Sequence, residues 1–187
     1  MNDRSTHDDV IDVIAATEHW LTRAVIGLNL CPFAKSVHVK GQIRYVVSEA
    51  LSVEDVVVEL TDELRVLHDT DPKKIDTTLY ITPNAFADFA EYNDALFFAE
   101  RLLDQLKLAG ELQIASFHPE YRFEGTEPDD IGNYTNRAPY PIFHLLREAS
   151  IDRAVPAFPD ATDIYERNIE TLERLGRDGF DAWMNKR

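Results

Sequence analysis

The sequence predicts an α/β protein with a mainly parallel sheet of three or four strands and helices packed against it. Three observations point there. Short β-branched and aromatic runs at residues 42–48, 77–82 and 112–117 read as strands. Between them lie longer stretches with apolar residues at helical spacing. Pro, Gly, Asn and Asp punctuate the junctions. Strands alternating with helices are the mark of layered α/β architecture.

The elements follow in order. Val10, Ile11, Ile14, Leu21, Ala24, Val25 and Leu28 recur at helical spacing. They predict a helix over 8–28, capped by Asp8 or Asp9 and stopped by Asn29 and Pro32. After the strand at 42–48, Ser52 caps a helix running to about residue 68, with Glu54 and Asp55 in its first turn. Asp71-Pro72 breaks the chain before the strand at 77–82. Pro83-Asn84 then opens a long helix over about 85–108, ended by Gly110. Phe86, Phe89, Phe97 and Phe98 with Leu102, Leu103 and Leu106 form its expected core stripe. After the strand at 112–117 comes a loop over 119–140, longer than compact domains usually tolerate without a function. Its Tyr121, Phe123, Tyr134 and Tyr140 predict an ordered loop packed on the body. Pro141, a favoured first-turn residue, predicts a short helix over 142–149, followed by an edge strand over 152–155. A last helix is expected over about 162–183. No repeat or linker divides the chain, so one domain over 1–187 is expected, as its length suggests.

Composition narrows the function classes. The 19 Lys and Arg against 34 Asp and Glu leave a net charge of −15. Such a surface repels phosphate, which argues against nucleic-acid and anionic-membrane partners. The acidic first residues show no secretory pattern, and the apolar stretch at 24–30 is far too short to span a bilayer, so a cytoplasmic protein is expected. Cys31 is the single cysteine and has no partner within the chain. Oligomeric state is not legible.

Candidate functional residues fall in three groups. Cys31-Pro32-Phe33 invites a redox reading, but no strand precedes it, the second cysteine is missing, and residues 35–41 are too few for the helix a thioredoxin-like fold requires. A structural cysteine is expected, with an isolated functional thiol beside Lys35 as the alternative. Residues 19–48 hold no carboxylate but carry Arg23, Lys35, Lys40 and Arg44. They mark an anion site, or they pair with acids from elsewhere in an acidic chain. The third group surrounds the long loop. His118 ends a strand, where open α/β sheets place their ligands, and His144 lies just beyond Pro141. His118, His144 and Glu120 are the candidate acid–base groups. Asn133, Tyr134, Asn136 and Arg137, with Arg147, are the candidate binders of a small polar or anionic ligand under the loop. The plainer reading of the Asn and Thr groups is that they hold the loop together.

No nucleotide-binding or zinc motif appears, no cofactor is implied, and no bound metal is expected. Two alternatives stay open. One is a metal-dependent enzyme using His118 and His144 with Glu120 or Asp130. The other is a non-catalytic interaction or structural protein.

Several runs together resemble a known family. These are Leu28-Asn29-Leu30-Cys31-Pro32-Phe33-Ala34, Phe117-His118-Pro119, and Asn133-Tyr134-Thr135-Asn136-Arg137-Ala138-Pro139-Tyr140-Pro141 followed by His144-Leu145-Leu146-Arg147-Glu148. The chain resembles the bacterial domain-of-unknown-function family 1415 from about Thr17 to the last helix, and the Asn-Tyr-Thr-Asn-Arg run is the most specific part. The resemblance implies a stand-alone protein of about this length. It brings no reaction, cofactor or catalytic residue.

Overall fold

The computed structural model describes residues 3–154 and 161–186. In chain order the elements are α1 (Asp3–Trp20), a π-helical segment (Leu21–Ile26), α2 (Ala34–Val39), β1 (Ile43–Val47), α3 (Val53–Asp69), β2 (Thr77–Ile81) and α4 (Phe89–Leu106). There follow β3 (Leu112–Phe117), a 3-10 turn (Ile131–Thr135), β4 (Ile142–Arg147), α5 (Glu148–Ala154) and α6 (Ala161–Met184). No helix among the described residues is long and apolar enough to cross a membrane.

The α/β class holds, but the sheet is mixed. Its order is β1-β2-β4-β3, with β1 and β2 parallel and β4 antiparallel to both of its neighbours. The helix expected over 142–149 is therefore corrected to a central strand. Ile142, Phe143 and Leu145 are fully buried because both sheet faces are covered. A strand in that setting shows no apolar–polar alternation, so its short run reads equally well as helix. What decides is the pair of open edges on β2 and β3, whose N–H and C=O groups find partners only if this segment extends between them. Helix begins later, at Glu148, and α5 occupies the place of the expected edge strand at 152–155. Val155 lies outside the described residues.

Other boundaries shift for local reasons. The expected helix over 8–28 divides at Trp20, where the backbone widens into the π-helical segment. A short α2 lies in the stretch read as too brief for a helix. Ser52 caps α3 as expected, accepting from the Asp55 N–H at 3.2 Å. The fourth helix starts at Phe89, not near residue 85, because the Asp88 carboxylate accepts from Ala90 and Glu91 N–H. Its buried stripe is Tyr92, Ala95, Ala99, Leu102 and Leu103. Phe97 and Phe98 fall off that stripe and are exposed, at 57% and 51%, which corrects their assignment to the core. In α6 Gly176 adopts φ 66°, a left-handed conformation that breaks the expected continuous helix.

Each sheet face carries its own core. On one, Tyr80, Phe143 and Leu145 meet the α3 stripe Val56, Leu60, Leu64 and Leu67 and the buried face of α4. On the other, Leu79, Ile81 and Ile142 meet Trp20, Leu21 and Ala24, with Leu172 and Phe180 of α6. Each such large side chain contributes on the order of 1.5–3 kcal/mol by leaving water.

Candidate functional site

The strand registers lay out the second sheet face in rows. Ile43, Thr77, Leu146 and Gln113 form one row, and Tyr45, Leu79, His144 and Ala115 the next. A third row ends in Ile81, Ile142 and Phe117. Ile81 and Ile142 are sealed under the helices. Over the first two rows the cover lifts, leaving a cavity of about 620 Å³. Trp20, Leu21 and Val25 of α1 and the π-helical segment wall one side, and Cys31, Pro32, Phe33 and Ala34 another. Trp20 meets Phe117 edge-on at 5.1 Å between ring centroids. Ala115 beside His144 provides depth, because its side chain is a single methyl. Polar groups gather at the rim, where Ser150 donates to Asp76 at 2.5 Å and Arg153 donates to Ser150 at 2.9 Å.

The cavity opens toward the amino ends of β1, β2 and β3. That corrects the expectation of a polar pocket at the carboxyl ends of the strands. β4, running antiparallel, brings its own carboxyl end, Leu146 and Arg147, to this side.

His144 is the one titratable group on the two floor rows besides Tyr45. The Thr77 hydroxyl has a single proton, and it goes to the Leu145 carbonyl at 2.6 Å, an oxygen that only accepts. Thr77 Oγ1 therefore accepts from His144 Nε2–H at 2.7 Å. Nδ1 keeps its lone pair and has no hydrogen-bond partner among the described residues. Burial pushes the imidazole down to about 4, so the ring is neutral at physiological pH. Burial also raises the Cys31 thiol above its ordinary range, partly offset by the Phe33 and Ala34 N–H groups. It is not an activated nucleophile in this setting.

The other candidates lie elsewhere. His118 is buried on the α4 side, where its Nε2–H donates to the Phe86 carbonyl at 2.9 Å and its Nδ1 accepts from the Glu120 N–H at 3.0 Å. It packs against Phe89 and Tyr92. Both nitrogens are thus committed to backbone, and burial lowers its pKa. The Glu120 carboxylate is exposed. Asn133 is buried inside its loop, accepting from Phe123 N–H and Thr126 O–H and donating to the Glu127 carbonyl. Asn136 donates to the Ser116 carbonyl, and Tyr134 packs on Phe180. Arg137 lies over the Tyr134 ring and donates to the Tyr121 and Pro128 carbonyls.

None of residues 119–140 lines the cavity, which corrects the expectation that the loop walls the principal pocket. Arg147 reaches the rim, but its guanidinium donates to the Leu67, Thr70 and Ile75 carbonyls around the end of α3. Of the candidate residues, then, His144, Cys31, Lys40 and Arg147 line the cavity.

The cations of residues 19–48 do not gather at one place: Lys40 lines the cavity, Arg44 makes two bonds to Glu63, and Arg23 stacks on Trp183. Among the described residues no three of His, Cys, Asp and Glu converge to hold a metal. His118 and His144 face opposite sides of the sheet and cannot share one.

Residues 12–182 match the model of a family described as protein of unknown function (DUF1415). The chain belongs to the DUF1415 family. No curated protein and no solved structure matches it. Sequence reasoning about this DUF1415 chain missed the partners that orient His144. Thr77 and Ala115 carry no local signal, because their importance comes from strands that only the fold sets beside β4.

Proposed function

We propose that this DUF1415 protein binds a small, largely apolar molecule in the cavity between the second sheet face and the α1–α2 arm. The observation that carries the reading is the cavity itself. Its volume falls in the range of small-molecule sites, and its lining is mostly apolar, with Thr77, Gln113 and one oriented imidazole on the floor and Lys40, Asp76, Arg147, Ser150 and Arg153 among the polar groups around it. This reading replaces a polar or anionic ligand because the cavity's cations, Lys40, Arg147 and Arg153, stand outside the two floor rows, and Arg147 and Arg153 already donate to other groups. Binding is the reading for the site; a reaction at it would use His144 as the group in reach of the ligand.

The neutral fluorescent probe N-phenyl-1-naphthylamine tests this. Its emission should rise on mixing with the protein and saturate at one probe per chain. Ala115→Phe, which fills the floor beside His144, should abolish the rise while the circular dichroism spectrum stays unchanged. Arg137→Ala, far from the cavity, should leave binding intact. Saturable binding that survives Ala115→Phe, or no binding to the folded wild type, overturns the proposal.

A further inference from the structure

Resting on that cavity reading, we infer the chemical class of the ligand: an uncharged alcohol or phenol whose hydroxyl donates to His144 Nδ1. The argument starts from a single proton. Thr77 spends its hydroxyl proton on the Leu145 carbonyl, so it offers only lone pairs to the imidazole. The proton of the neutral ring is thereby fixed on Nε2, and Nδ1 is an acceptor. Among the described residues the Nδ1 atom is not one of the fully buried, unpaired polar atoms, and its side chain lines the cavity. A ligand that covers this acceptor is selected for a donor, because one without it leaves Nδ1 buried and unpaired.

Charge then separates the classes of donor. A carboxylate presents lone pairs to a lone pair, and the cations that line the cavity, Lys40, Arg147 and Arg153, stand outside the two floor rows, with Arg147 and Arg153 already donating to other groups. An ammonium meets no carboxylate there either, since Asp76 lies at the rim and already accepts from Ser150. An amide N–H brings a carbonyl as well, which would have to find its own donor at the Gln113 amide on the neighbouring row. A hydroxyl brings one donor and little else. The ring of Phe117, 6.0 Å from the imidazole and edge-on to Trp20, gives the apolar body an aromatic wall.

Calorimetry with 2-naphthol and 2-methoxynaphthalene decides it, since the two differ only in whether the oxygen carries a proton. The wild type should bind 2-naphthol about tenfold more tightly, the worth of one buried hydrogen bond. His144→Phe should keep binding of the methyl ether and lose the difference. Thr77→Val, which frees the imidazole tautomer, should narrow it. Equal binding of the two compounds by the wild type, or a difference that survives His144→Phe, overturns the inference and leaves the cavity reading standing. Binding of neither compound by the folded protein overturns both.

Discussion

Thr77 and His144 stand diagonally on the neighbouring strands β2 and β4, and the imidazole Nε2–H donates to the threonine oxygen at 2.7 Å. The bond crosses between antiparallel strands, so it depends on the central placement of β4. It also fixes which nitrogen of His144 carries the proton.

Burial of the His144 ring makes stability depend on pH. His144 titrates near 4 in the fold, below the ~6.5 of an unfolded chain. Between those values the unfolded chain binds the extra proton, so protonation favours unfolding. The contribution is fully present above about pH 6.5 and is lost as pH falls toward 4, amounting to about 3 kcal/mol over the window. Urea unfolding of the wild type and of His144→Phe at pH 7 and pH 4.5 isolates the term. The variant should lose less stability on acidification, and parallel losses would refute the assignment.

His118 should prove to be a structural latch. Its ring joins the Phe86 carbonyl to the Glu120 N–H, and Phe86 itself is held at φ 60°. His118→Ala leaves both groups unpaired and should cost about 2–4 kcal/mol. Probe binding under native conditions should persist. A variant of wild-type stability that no longer binds would assign His118 to the site after all.

The loop over 119–140 depends on Asn133 more than on Arg137. Asn133 is buried with three hydrogen bonds, whereas Arg137 covers the Tyr134 ring near the surface. Asn133→Ala should cost about 2–3 kcal/mol and Arg137→Ala about 1 kcal/mol or less. Amide exchange at Phe123 should accelerate in the first variant only. The reverse order would show that the loop is held from outside.

Cys31 should report on occupancy of the cavity. Burial keeps its thiol protonated at neutral pH, so iodoacetamide should react slowly at pH 7 and faster as pH rises past 9. Saturating N-phenyl-1-naphthylamine should slow the reaction further, because Cys31 lines the same wall. Alkylation at pH 7 as fast as that of free cysteine, unchanged by the probe, would contradict both points.

Local chemistry was legible wherever a single residue settles a local question. Ser52 with Glu54 and Asp55 announced α3, and the β-branched runs announced β1, β2 and β3. The aromatics of the loop announced its packing: Phe123 lies against Tyr165 and Tyr134 against Phe180. The site was legible only in part. His144 stood out as a titratable residue in an apolar run, yet that run reads as helix when no partner strand is in view.

By itself, then, the sequence determined the α/β class, the Ser52 cap, most of the strands and the −15 charge, all set by neighbours along the chain or by composition. Only the tertiary structure decided that residues 142–147 extend between β2 and β3, since backbone groups of two distant strands must be paired there. That one placement turned His144 onto the second face, set Thr77 and Ala115 beside it, and carried the β4 end to the rim. It also separated His144 from His118. Side chains alternate across a sheet, so which residues share a cavity is fixed by register, and register belongs to the fold.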